Sequence, residues 1–138
     1  MKVLLTAALL VLAPFATAIE RTPAPPEAEV YFITPQDGDT VSGPVTVKFG
    51  LKGMGVAPAG VTQDNTGHHH LLVDLKEAVN EDQPLPSNDN VRHFGGGQTE
   101  TTLDLPPGEH TLQLIMGDAR HVPFEPSITS EKITITVK

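Results

Sequence analysis

The run VTVKFGL at residues 45–51 places Val45, Val47, Phe49 and Leu51 at every second position. Successive side chains of an extended strand point to opposite faces, so these four line one side. The pattern predicts a half-buried β-strand opened by Pro44. Two later runs repeat it. EHTLQLIM at 109–116 puts Leu112, Leu114 and Met116 in phase, and KITITVK at 132–138 does so for Ile133, Ile135 and Val137. Shorter extended stretches are read at 30–33, 68–75 (HHHLLVDL), within 87–93 and at 98–105. Turn chemistry separates them: Asp37-Gly38, the Gly/Pro/Ala-rich stretch 53–60, Pro106-Pro107-Gly108 and the loop 117–126. Residues 76–79 are read as one helical turn within a polar loop, and helical periodicity is otherwise nearly absent. Six or seven short strands with such punctuation predict an all-β fold, an antiparallel two-sheet sandwich of immunoglobulin-like type, with a small barrel as the alternative.

Upstream, the chain reads as an export signal. Lys2 is a minimal positive region, residues 3–12 are apolar, and Ala16-Thr17-Ala18 is a small-residue cleavage site. The expected organisation is a signal peptide over 1–18, a Pro-rich solvated linker over 19–29 and one folded domain over 30–138. The apolar stretch is shorter than the roughly 20 residues of a spanning helix. A periplasmic or secreted protein follows, with no membrane insertion after cleavage.

Charge and cysteine content exclude several function classes. The net charge of −8 becomes −9 once Lys2 is removed. An acidic chain without a basic run is repelled by phosphate backbones, so no nucleic-acid partner is expected. There is no cysteine, so disulfides, thiolate metal sites and thiol nucleophiles are unavailable. No H-E-x-x-H or G-x-S-x-G motif occurs, and no catalytic residue is assigned.

The six histidines are distributed unevenly: His68, His69 and His70 are consecutive, and His93, His110 and His121 stand apart. On a strand, His69 shares the more apolar face with Leu71, Val73 and Leu75, while His68 and His70 share the other with Leu72 and Asp74. The Cα atoms of His68 and His70 then lie roughly 6.6 Å apart on one side. Two imidazoles at that spacing can converge on one ion through bonds of about 2.0–2.1 Å. His93 and His121, in or beside loops, are the candidates to complete the shell. Asp74 or Asp118 is the expected partner of a ligand's second ring nitrogen. His110, in phase with Leu112 and Leu114, is read as a hydrogen-bonded residue at a strand corner, and His69 as a packing residue. Met116 is read as core and Met54 as a weak thioether candidate. Gly95-Gly96-Gly97 lacks the following Lys-Ser/Thr and helix of a phosphate loop, and is read as a hinge or a place of close backbone approach. The resulting expectation is an exported module that binds one copper or zinc ion. The alternative is a non-metal ligand-binding or structural module whose histidines bond one another.

Longer phrases add a family resemblance. VKFGLKGMGVAPAG at 47–60, TGHHHLLVD at 66–74, HFGGGQTETTLDLPPGEHTLQL at 93–114 and GDARHVPFEP at 117–126 are similar to the domain-of-unknown-function 4399 family of short exported bacterial proteins. The resemblance implies secretion and a single domain. It implies no activity.

Overall fold

The computed structural model describes residues 13–14 and 17–138. Most of the expected signal peptide, including its apolar stretch, lies outside the described residues. Among the described residues there are nine strands and no helix, and nothing forms a helix long and apolar enough to cross a membrane.

Two sheets form. The smaller has the order β1-β3-β7, with β1 at Glu29–Thr34, β3 at Val45–Lys52 and β7 at Glu100–Leu103. The larger runs β2-β9-β8-β5-β4. Here β2 is Thr40–Val41, β4 Gly55–Val56, β5 Thr66–Val73, β8 Gly108–Gly117 and β9 Ile133–Val137. The short β6, Val91–His93, pairs antiparallel with β5.

The sequence alternation decides what the sheets bury. Val45, Val47 and Phe49 of β3 meet Leu71 and Val73 of β5, and Leu112, Leu114 and Met116 of β8. Ile133, Ile135 and Val137 of β9 complete the same core. Met116 is therefore core, as its phase required, and Met54 packs partly buried against it. Removing this apolar area from water is the main stabilising term, at roughly 25 cal/mol per Å². A second, smaller cluster forms on the outer face of the larger sheet from Leu72, Leu85, Val91 and Ile115.

Three expectations need correction. The pairing is not purely antiparallel: β2 joins β9 in parallel, and β4 joins β5 in parallel. Both are two-residue edge additions reached by non-hairpin connections, which parallel pairing requires. The helical turn at residues 76–79 does not form. Leu75 and Val79 instead pack on the outer apolar cluster, and one isolated turn cannot offset the cost of helix nucleation. The Pro-rich segment 19–29 is not wholly solvated. The Glu125 amide donates to Thr22 O and the Ala24 amide to Glu125 O, both at 2.9 Å.

Candidate metal centre

Strand β5 builds the site. Its alternation sends His69 inward, with its ring centroid 5.0 Å from that of Phe49, and sends His68 and His70 to the outer face. Two neighbours bring the other histidines to that face. His93 of β6 is the register partner of His70. Gly117, at the end of β8, is the partner of His68. From Gly117 the chain turns sharply, with Gly117 bridged to Pro123. The turn carries His121 over His68.

The four rings of His68, His70, His93 and His121 thus converge, each offering one nitrogen within 4.8 Å of the others. Ring centroids are 4.6 to 6.1 Å apart across all six pairs. His68 Nε2 lies 3.1 Å from His121 Nδ1 and 3.2 Å from His93 Nε2. A tetrahedral ion with bonds of about 2.0–2.1 Å separates its nitrogens by about 3.3–3.4 Å; a square-planar ion spreads them from about 2.9 to about 4.1 Å. The two short separations from His68 Nε2 lie within reach of either geometry, and the widest separation of the four, up to 4.8 Å, would have to close for both.

Burial fixes the protonation state. His68 and His70 are fully buried. Burial first, then the neighbouring imidazoles, pushes His68 down to about 4 and His70 to about 3. Burial and His121 also lower His93. His68 and His70 are therefore neutral at pH 7 with lone pairs available, the form a metal needs. The same burial leaves nitrogens unpaired: His68 Nδ1 and both nitrogens of His70 have no hydrogen-bond partner. Each such group costs about 1–3 kcal/mol.

Two glycines make the space. A Cβ on Gly95 would stand 2.2 Å from Cε1 of His93, and one on Gly117 would stand 2.8 Å from Cε1 of His70. The glycine-rich stretch after His93 thus permits the close approach read from the sequence, here by a histidine ring.

The His121 loop is held in an uncommon conformation. His121 has φ +66°, a left-handed value that costs energy in a non-glycine residue and persists only when its surroundings impose it. Its amide donates to Asp118 O at 2.9 Å, and its carbonyl accepts from the Leu85 amide at 2.8 Å. Asp118 is the organiser of this turn. Its carboxylate accepts from the Arg120 and Val122 amides, the Arg120 guanidinium and the Thr22 hydroxyl. Burial alone would raise this carboxyl, but those hydrogen bonds outweigh it and hold it below its ordinary value.

Neither aspartate takes the expected role of bonding a ring nitrogen of the four. Asp118 is occupied by its own turn. Asp74 leaves the strand at φ +51° and faces β8, where it accepts from the Thr111 amide and contacts His110 Nδ1 at 2.7 Å. His110 is held at both ends, its Nε2 donating to Pro106 O at 2.7 Å. The Asp74 bond is the first cause of its raised pKa. His110 is the hydrogen-bonded corner residue the sequence suggested. Sequence reasoning missed Gly117, Leu85 and Thr22, whose roles arise only from contacts made by folding.

A search of curated proteins found no match. Among solved structures the chain is similar to the X-ray structure of the endo-β-1,4-mannanase from Thermotoga petrophila, at 21% identity and a TM-score of 0.48. The similarity covers 81% of this chain and 20% of that one, so this chain spans about a fifth of the enzyme's length. The sequence model described as Domain of unknown function (DUF4399) matches residues 47–138, from within β3 through all four converging histidines, and the chain belongs to that family.

Proposed function

We propose that the protein is an exported metal-binding module that holds one copper or zinc ion between His68, His70, His93 and His121. One observation carries the reading: four imidazoles from β5, β6 and the turn after β8 offer nitrogens within 4.8 Å of one another. Imidazole suits both ions, and neither requires the absent thiolates. Four protein nitrogens fill a tetrahedral shell. That favours holding or carrying an ion over catalysis, which keeps a position open.

The rival is a cluster in which the rings satisfy one another. The contacts of His68 Nε2 with His93 and His121 fit it. It leaves His70 without a partner at either nitrogen, and a central cation relieves that defect at one of them. We also read the strand order as immunoglobulin-like, with β1, β3 and β7 opposite β5, β8 and β9. The His110 bond to a carbonyl four residues upstream is analogous to the corner tyrosine of such domains. Export to the periplasm or medium follows from the signal-like residues 1–18, and the exported chain is expected to begin at Ile19.

Titration calorimetry of tag-free protein with zinc and with copper tests the function. Binding of one ion per chain, well below the tens of micromolar of stray surface histidines (about 6 kcal/mol), supports it. Binding no tighter than that, or unchanged by His68→Ala/His70→Ala, removes it.

A further inference from the structure

Most bonds of the segment ahead of the domain go to one place, the loop that carries His121. Arg120 donates to Glu20 O at 2.8 Å. The Thr22 hydroxyl donates to the Asp118 carboxylate at 2.7 Å. Pro23 bridges Glu125 in parallel, flanked by the two Thr22–Glu125–Ala24 backbone bonds. Arg21 is the centre of the contact. Its side chain is only 12% exposed. It donates to the carbonyls of Pro123 and Phe124 and to Ser127 Oγ, and it pairs with Glu125 at 2.6 Å. A guanidinium can satisfy several acceptors from one rigid fork, which a lysine cannot. Its hydrogen-bond acceptors begin two residues after His121, and it also pairs with Glu81 at 3.5 Å and Asp82 at 3.8 Å in the loop before β6.

This arrangement addresses a cost already noted. The left-handed backbone at His121 needs its surroundings to impose it. Asp118 and Val122 at the two ends of the turn are buried and only Arg120 between them is exposed, so the turn stays closed as long as the contacts that cover its ends hold. Residues 20–24 hold the turn at Asp118 and Arg120 and again at 123–127.

We propose that residues 20–24 form a strap that fixes His121 within the four-histidine cluster, with Arg21 and Thr22 as positioning residues; the consequence for metal affinity rests on the metal-binding reading above. The strap begins two residues beyond the expected cleavage site, so the mature N-terminus is part of the site's support.

The test uses the full chain carrying Arg21→Gln and Thr22→Val, together and singly, with Zn²⁺ and Cu²⁺ as probes. Loss of an outer support to a ligand lowers metal affinity by about ten- to a hundredfold, and that loss is expected here. The same changes on a His121→Ala background should alter the residual affinity by less than about threefold, because the strap acts through that ligand. An equal loss on both backgrounds, or no loss on either, overturns the proposal. Hydrogen exchange without metal gives an independent reading. The amides of His121 and Val122 should exchange at least about tenfold faster in the variants, with those of Leu114 and Ile135 unchanged. Unchanged exchange at His121 and Val122 overturns the strap whatever the metal result. If the unmodified chain binds neither ion, the metal reading fails and the exchange result still decides the strap. If the double variant does not fold, Thr22→Val alone carries both measurements.

Discussion

Acidification from pH 7 to pH 5 should destabilise the metal-free protein by about 5 kcal/mol, a loss set by three buried rings. Burial holds His68 and His69 near 4 and His70 near 3, against about 6.5 in an unfolded chain. Around His68 stand His121, His93, Asp118 and His69; around His70 stand His68, His93 and His121. Below pH 6.5 the unfolded chain takes up protons that the folded protein refuses until pH 4 or 3. Stability therefore falls as pH falls, fully present above pH 6.5 and lost progressively toward pH 3. At pH 5 each ring contributes about 2 kcal/mol of this loss by linkage. His110 opposes it modestly. Its pKa is raised by Asp74, so its contribution is fully present below pH 6.5 and fades as pH rises through the raised value. The net of about 5 kcal/mol is comparable to the whole stability of a small domain, roughly 5–15 kcal/mol. Urea unfolding with a chelator at pH 7, 6 and 5 measures it directly. The slope near pH 5 should approach three protons, about 4 kcal/mol per pH unit. A change below about 1 kcal/mol across the range, or a gain in stability, would refute the buried neutral state of these rings.

Other outcomes follow from the same geometry. His69→Leu should stabilise the metal-free fold by about 1–3 kcal/mol and reduce its acid sensitivity by one proton, because both ring nitrogens of His69 are buried without partners; metal affinity should hold. His110→Ala should lower stability by about 1–3 kcal/mol through loss of the Asp74 and Pro106 bonds, again without altering metal affinity, as paired urea and calorimetric titrations would show. Gly95→Ala should push the His93 ring aside and lower metal affinity about tenfold or more while far-ultraviolet circular dichroism stays the same; unchanged affinity would remove His93 from the shell. A hundredfold excess of a bound ion over its Kd should raise stability by about 2.7 kcal/mol, and His68→Ala/His70→Ala should erase that gain in a melting experiment.

The site was legible in the sequence where strand periodicity alone decides orientation. Residues 68–73 alternate on β5, and that alternation alone separates His69 from the pair His68 and His70. His93 and His121 were candidates by residue type, and the register of β6 with β5 and the turn after Gly117 explain why they reach the pair. The partners of the aspartates are not legible in the sequence, because closeness in sequence is not closeness in space. Asp74 leaves β5 at a positive φ to meet β8, and Asp118 spends its oxygens on its own turn. The strands β2 and β4 carry no pattern because two residues cannot show one. The Pro-rich segment has the composition of a solvated linker, and the docking of Arg21 depends on carbonyls more than a hundred positions away.

The most direct test is an anomalous-difference map from crystals of tag-free protein grown with one equivalent of zinc or copper. The account predicts a single strong peak enclosed by His68, His70, His93 and His121, with nitrogen ligands at about 2.0–2.1 Å for zinc. A peak bound elsewhere, or no peak among these four rings at full occupancy of the protein, would contradict it.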